Sequence, residues 1–333
     1  MKSVYDGNRP VFYPLKLSTL IDHPSGFLAL SPRNQRFTCD GIPGFIAYRE
    51  QGRHRVAFGG VHAPPSAQGE VLDRFLAQAA SNRRRVIVAQ VREPQVQLFL
   101  ERGFTVNQFG TSFGLTLRHY SLRGTAKMQL RNKISRARKA GLRVVEVGRE
   151  LPRNEETFAQ LHAISAKWLE AKRRKELEFM VGEVGDHRDS RRRIFMVLDG
   201  GDRAMGFITY VPVWGKQPGY LHDLTRRLPT APPGAMELCN AYAIEQMIAD
   251  GVEFLHFGFT PFIVEGEEFA GASRLVTQAI RLLYRYGSVI YPAESQARYK
   301  LKWAPDILER EYIAVRPLSM RSMLDLLLLT RSI

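Results

Sequence analysis

Hydrophobic and polar positions along this chain switch between a period of two and a helical period, and the switches predict its elements. Gly44-Phe-Ile-Ala-Tyr48 and Arg55-Val-Ala-Phe58 read as the arms of a hairpin turned by Glu50-Gln-Gly-Arg53. Pro64 and Pro65 break the pattern, and from Glu70 to Ala80 the residues Val71, Leu72, Phe75, Leu76 and Ala79 line one side of a helix. Arg85-Val-Ile-Val-Ala89 is a buried-type strand. Pro94 opens a short helix carrying Val96, Phe99 and Leu100, which Gly103 stops, and Phe113 to Leu117 predicts a further strand. This strand, strand, helix, strand, helix, strand order describes a compact α/β unit ending near residue 120.

A similar order follows. Lys127 to Ala140 reads as a helix closed by Gly141, Leu142 to Val147 as a strand, and Asn154 as the N-cap of a helix to about Ala171. Ile194-Phe-Met-Val-Leu198 and Ala204-Met-Gly-Phe-Ile-Thr-Tyr210, joined by Asp199-Gly-Gly-Asp202, form a hairpin signal. Gly219 to Leu224 predicts a strand, Gly234 precedes a helix to about Ile248, and Phe254-Leu-His-Phe257 predicts a buried strand. The recurrence suggests a duplicated α/β unit, with halves at residues 1–120 and 121–333.

Charge changes the picture more than composition does. Apolar residues make up 44% of the 333, enough for real cores, but the formal net charge is +15. A surplus that large points to a polyanionic partner, a nucleic acid or an anionic membrane surface. Cys39 and Cys239 are distant in sequence, so a zinc cluster or disulfide framework is not expected, and a reducing cytoplasm is the expected compartment. No stretch approaches the roughly 20 apolar residues of a membrane helix. The leucine-rich tail from Met323 to Leu329 is too short to span, and reads as a packed C-terminal helix or a segment dipping into a membrane interface.

Four constellations could carry chemistry. The helix from Lys127 holds Lys127, Arg131, Lys133, Arg136, Arg138 and Lys139 with no acid among them, which suits a phosphate backbone better than a solvated face. Lys172-Arg-Arg-Lys175 and Arg191-Arg-Arg193 are further basic runs that would position an RNA without reading its sequence. His222-Asp223-Leu224-Thr225-Arg226-Arg227 lies at the end of a predicted strand, where ligand crevices open in α/β sheets. Its Asp and Arg could grip an ammonium group and an ester or phosphate oxygen. Glu237, near a helix start, is favoured there by the helix dipole whether or not it serves a site. Arg298-Tyr-Lys300-Leu-Lys302-Trp303, read as a strand, puts three cations on one face as an oxyanion or phosphate site. Against an acyl-coenzyme A donor, Pro229-Thr-Ala-Pro-Pro-Gly234 offers few N–H groups for a pyrophosphate.

Taken together these residues resemble the C-terminal catalytic domain of the lysyl- and alanyl-phosphatidylglycerol synthases, from about Gly44 to Val315. The matching motifs are Leu130-Arg-Asn-Lys133 with Gly141, Ile164-Ser-Ala-Lys-Trp-Leu169, Glu178-Phe-Met-Val-Gly182, Asp223-Leu-Thr-Arg226, Phe257-Gly-Phe-Thr-Pro-Phe262, and Tyr299-Lys-Leu-Lys-Trp-Ala-Pro305 with Tyr312-Ile-Ala-Val315 beyond. The resemblance implies two tandem acetyltransferase-like (GNAT-like) units, each a mixed, mainly antiparallel sheet flanked by helices, and an aminoacyl-tRNA donor. It implies that Asp223, Arg226 and Lys300 line the aminoacyl site, with Glu237 as an acidic neighbour. Lys302 and His222 adjoin these as substrate-binding candidates, and no histidine stands out as a general base. Because the ester is already activated, neither metal nor coenzyme is expected.

Two departures matter. The family's Trp-Glu-Pro-Arg-Tyr stretch reads Leu308-Glu-Arg-Glu-Tyr312 here, so a family Arg has become Glu311. Typical members also carry membrane helices ahead of this domain, and no such segment occurs in the sequence. The acceptor is therefore open between a lipid headgroup, with peripheral membrane contact, and a soluble small molecule such as a natural-product intermediate. An acyl-CoA-dependent N-acyltransferase and a non-catalytic RNA-binding protein on the same scaffold are the readings from other classes.

Overall fold

The computed structural model describes residues 18–172, 179, 182–264, 266, 268, 271–286 and 293–330. Its strands are β1 (Gln35–Cys39), β2 (Ile42–Gln51), β3 (His54–His62), β4 (Arg85–Arg92), β5 (Thr105–Thr116), β6 (Arg143–Glu146), β7 (Arg193–Leu198), β8 (Ala204–Val213), β9 (Gly219–Arg227), β10 (Phe254–Pro261) and β11 (Ile307–Arg316). The helices are α1 (Gly26–Ala29), α2 (Pro65–Ser81), α3 (Val96–Leu100), α4 (Met128–Lys139), α5 (Glu155–Lys172), α6 (Ala235–Ala249), α7 (Arg274–Tyr286), α8 (Ala293–Leu301) and α9 (Met320–Leu329).

The strands form one mixed sheet in the order β1-β2-β3-β4-β11-β5-β10-β9-β8-β7-β6. Two adjacent pairs, β3–β4 and β9–β10, run parallel, and every other pair is antiparallel. The chain's last strand returns to the first half and inserts between β4 and β5, so the sheet runs unbroken across the expected boundary at residue 120. β5 is the seam. It pairs with β11 on one edge and with β10 on the other.

Apolar faces explain the layers. α2 buries Val71, Leu72, Phe75 and Ala79, the stripe visible in the sequence, against Val86 and Val88 of β4. α4 buries only Leu130, Ile134 and Ala137 and packs beside α6. The approach is close: a Cβ on Gly234, whose φ is 90°, would lie 2.3 Å from the carbonyl oxygen of Lys133, so only glycine fits there. α6 buries nearly its whole first half, with Trp303 in the same core. On the opposite face a core containing Phe58, Phe109, Val211, Leu221 and Ile313 bridges both halves.

Three expectations are corrected. Residues 298–303 are not a strand; they form the end of α8 and the turn after it. A six-residue alternation is too short to separate the two periods, and Glu294 and Arg298, an i,i+4 ion pair, together with buried Ala297, fit the helix. Arg298 therefore points outward while Lys300 turns inward, and the three cations do not share a face. β9 continues to Arg227, so Asp223 lies within the strand and not at its end. Arg192 and Arg193 are buried in ion pairs with Asp223 and Glu146, and cannot serve as a backbone-tracking RNA run. Within Lys172–Lys175, Lys172 closes α5 and the other three lie outside the described residues.

The C-terminal tail packs as α9, and a buried polar clasp holds it to the first hairpin. Asp325 accepts from Nδ1 of His54 at 2.7 Å, and the Oγ of Ser322 lies 3.1 Å from Nε2 of the same ring. All three side chains are fully buried. Removing one partner of such a pair strands the other in low dielectric. Asp325→Ala is expected to destabilise the fold by about 3–5 kcal/mol, measured by urea denaturation, while Ala at exposed Arg53, which meets Asp325 only through its backbone N–H, stays within about 0.5 kcal/mol of the parent.

Candidate active site

The parallel pair β9–β10 registers over only three positions, ending at Leu221 opposite His256. A bulge in β10 between His256 and Gly258 follows at once, and from there the two strands continue without pairing to each other. Strands that part expose backbone groups that must find other partners. Lys300, delivered by α8, supplies one: its Nζ donates to the carbonyls of Gly258 at 2.7 Å and Phe259 at 3.0 Å. Burial pushes the Lys300 amine down to about 7, opposed only by the carboxylate charge of Glu311. It is thus a cation poised to titrate near neutrality.

Asp223 occupies the other arm of the parting. Its Oδ2 lies 2.8 Å from Nη1 of Arg192, and its side chain is almost wholly buried. Burial raises its carboxyl above the ordinary value, against the charge and hydrogen bond of Arg192, a bond from the Gly182 backbone and the more distant charge of Arg226. Gly182 is indispensable to this geometry: a Cβ there would fall 1.8 Å from Asp223 Oδ2. Arg226 is buried three residues on, its guanidinium 4.2 Å from the centroid of the Trp168 ring, with Nε 3.4 Å from Ser165 Oγ. Such stacking fixes a planar cation without neutralising it.

His222 faces Tyr210, Phe257 and Tyr299, and its Nε2 lies 2.7 Å from Thr225 Oγ1. Burial, helped by the charge of Lys300, pushes its imidazole down to about 3, so it stays neutral at physiological pH. Glu237, in the first turn of α6, accepts from Lys133 at 3.3 Å and from Lys302 at 3.2 Å. Burial works against its ionised form, but the two ammonium groups outweigh it and hold the carboxyl below the usual range. Glu237, Lys133 and Lys302 therefore form one ionic cluster where α4 meets α6, linking the basic helix to the end of α8.

The six cations of the basic helix divide. Lys127, in a turn just before α4, donates to Ser121 O and lies over the Tyr120 ring, Arg131 donates to Leu122 O and Gly124 O, and Lys133 pairs with Glu237. Arg136, Arg138 and Lys139 are exposed, and Asn132, Ser135, Arg136 and Lys139 line a surface recess. Sequence reasoning treated Arg192 as part of an RNA-binding run, gave Gly182 no role beyond its motif, and had no signal for Ser112. That hydroxyl hydrogen-bonds Glu311 across the seam. Of the motif Glu178–Gly182, only Phe179 and Gly182 lie within the described residues.

A mixed sheet that parts at a parallel pair in its second half, with helices on both faces, defines a tandem acetyltransferase-like α/β protein. Residues 16–315 match the family described as "Phosphatidylglycerol lysyltransferase, C-terminal", and the chain belongs to that family. Among its relatives is the lysylphosphatidylglycerol biosynthesis bifunctional protein LysX of Nocardia farcinica, 28% identical over 299 residues. That alignment takes in 87% of this chain but only 24% of the relative's length. LysX of Rhodococcus jostii is 24% identical over 269 residues, 79% of this chain and 24% of its own. The solved structure of L-PGS from Bacillus licheniformis superposes with a TM-score of 0.74 at 20% identity, covering 92% of this chain and 91% of that one.

A methyl group at Gly182 must displace either the loop or the Asp223 carboxylate. Gly182→Ala is expected to lower stability by about 1–3 kcal/mol. Urea denaturation measures it, with Ala at the nearby exposed Arg188 as the near-neutral control.

Proposed function

We propose that the chain transfers an amino acid from aminoacyl-tRNA to an acceptor hydroxyl or amine, with a phosphatidylglycerol-type lipid as first choice of acceptor. The observation that carries this reading is the parting of β9 and β10. It sets a buried carboxylate, Asp223, on one arm and a buried amine, Lys300, against the carbonyls of the other. In this reading Asp223, supported by Glu237 at the margin, receives the α-ammonium of the aminoacyl ester. Lys300 or Arg226 stabilises the oxyanion that forms on its carbonyl, a contribution of roughly 3–4 kcal/mol where the donor is preorganised. The acceptor's nucleophile forms the new bond to that carbon, and the 3′-terminal ribose oxygen leaves.

The exposed cations Arg136, Arg138 and Lys139 suit the acceptor stem, since they face solvent without acidic partners among the described residues. A lipid acceptor is favoured over a soluble one by α7, whose outer face exposes Leu275 and Leu282 beside Arg274, Arg281 and Arg285. Exposed leucines flanked by arginines suit an anionic interface. Among the described residues no helix is long and apolar enough to cross a membrane. A soluble acceptor is the alternative within this class.

The test is incubation with tRNAs charged with the full set of labelled amino acids, in parallel with phosphatidylglycerol vesicles and with a small-molecule cell extract. Label is expected to leave the RNA and appear in the vesicles; label appearing only with the extract would replace the lipid by a soluble acceptor. Lys300→Met is expected to lower the transfer rate by about 10²–10³-fold and to remove a rise in stability with pH that the parent shows between about 7 and about 10. The amine titrates near 7 when folded and near 10.4 when unfolded. The unfolded chain therefore binds more protons between those values, and keeping Lys300 buried opposes folding below pH 10. Arg136→Glu with Lys139→Glu is expected to weaken tRNA binding and flatten its log–log salt dependence by about one unit per lost phosphate contact, read by filter binding across a salt series.

A further inference from the structure

Other buried carboxylates among the described residues are held by basic side chains. Arg193 grips Glu146 through two nitrogens, Arg192 holds Asp223, and His54 holds Asp325. Glu311 breaks that rule. It lies in β11 at the seam, opposite Gly110 of β5 and Arg92 of β4, with 1% of its surface exposed. Its Oε1 accepts from the Ser112 hydroxyl, while its Oε2 is buried without a hydrogen-bond partner. His23 is the nearest cation candidate, with Nε2 3.9 Å from Oε2. That ring, however, accepts from Ser25 N at Nδ1 and is therefore placed to donate its Nε2 proton to Gln90 O, so it is neutral and already occupied. Lys300 feels the charge of Glu311 but gives its protons to the carbonyls of Gly258 and Phe259.

An unsatisfied buried carboxyl oxygen is expensive and calls for a partner that the fold alone does not supply. We propose that Glu311 is the acid–base residue of the transfer: its free oxygen takes the proton of the acceptor nucleophile and returns it to the departing ribose oxygen. This rests on the aminoacyl-tRNA reading above. The step balances. The acceptor O–H or N–H loses its proton to Oε2 as the heteroatom bonds to the ester carbon. The tetrahedral intermediate then collapses with cleavage of the bond from carbon to ribose oxygen, and the proton passes to that oxygen to give the free 3′-terminal hydroxyl. No oxidant, metal or coenzyme enters. Ser112, on the other oxygen, fixes the carboxyl's orientation so that the same atom serves both half-steps.

The electrostatics suit the role. Burial raises the Glu311 carboxyl to about 7, against the Ser112 hydrogen bond and the charges of Arg92 and Lys300, with Glu309 pushing further upward. These groups, with neutral His23, are the titratable and charged neighbours that face it from β4, α8, β11 and the segment before α1. A base near 7 beside a lysine near 7 gives a narrow optimum: the carboxylate forms as pH rises while the ammonium is lost.

The experiment measures single-turnover transfer across pH 5–9 in the full chain, with the pooled labelled aminoacyl-tRNAs and phosphatidylglycerol vesicles or extract as the probes. Glu311→Gln keeps the Ser112 hydrogen bond and removes the base. The expected result is a loss of about 10²–10⁴-fold in rate, unchanged tRNA affinity, and disappearance of the acid-side limb of the pH profile with the alkaline limb retained. Glu311→Asp, which keeps a carboxyl set further back, is expected to be slow but to retain that limb, which a merely structural role would not require. Transfer by Glu311→Gln within about threefold of the parent, or an unchanged acid limb, overturns the proposal. No transfer by the parent chain overturns the underlying reading instead, so the two failures are distinguishable.

Discussion

The pairing of β5, a strand of the first half, with two strands of the second half is the constraint on which everything else depends. On one edge β5 accepts β11, the final strand, and on the other β10, the strand against which Lys300 is anchored. That double pairing turns two sequence halves into one sheet. It also brings Ser112 to Glu311 and Lys300, which lie almost two hundred residues further along the chain. Disturbing the seam would separate the proposed base from the proposed oxyanion donor without touching either side chain.

A second constraint follows from the parting of β9 and β10. Backbone groups released from a ladder must be satisfied elsewhere, and here a lysine ammonium does it. The cost is a buried cation whose charged form burial disfavours. The same pattern recurs at Asp223, Glu311 and Glu237, each shifted from its ordinary value by burial in competition with neighbouring charge. Ionisable groups so buried weaken a fold, which is why groups shifted in this way mark candidate sites. Elsewhere burial is conventional: aromatic and branched side chains fill the faces of the sheet, and the polar clasp of His54, Ser322 and Asp325 ties the last helix down.

The acidic residue at position 311 sets the charge balance at the seam. A positive side chain there would add to Lys300 and Arg92, whereas Glu311 tempers both. The local charge balance is therefore closer to neutral than the overall charge of +15 suggests. Arg136, Arg138 and Lys139, by contrast, lie exposed on the outer surface.

Much of this was legible in the sequence. The hairpins, the amphipathic helix α2, the basic helix and the buried strands announced themselves, because their apolar residues repeat at a period fixed by local backbone geometry. The motif around Asp223 and Arg226 was likewise visible as a set of residue types. What the sequence alone did not determine was which of two short-range periods would win over residues 298–303, since six alternating residues satisfy both. Nor did it determine that Arg192 is an ion-pair partner, because a run of three arginines looks the same whether solvated or buried. The role of Glu311 was hidden for a deeper reason. Its partners come from β4, β5 and α8, and contacts between distant segments are set by strand order. Strand order is decided by the packing of whole faces against one another, a property of the tertiary structure that no local pattern of residues contains.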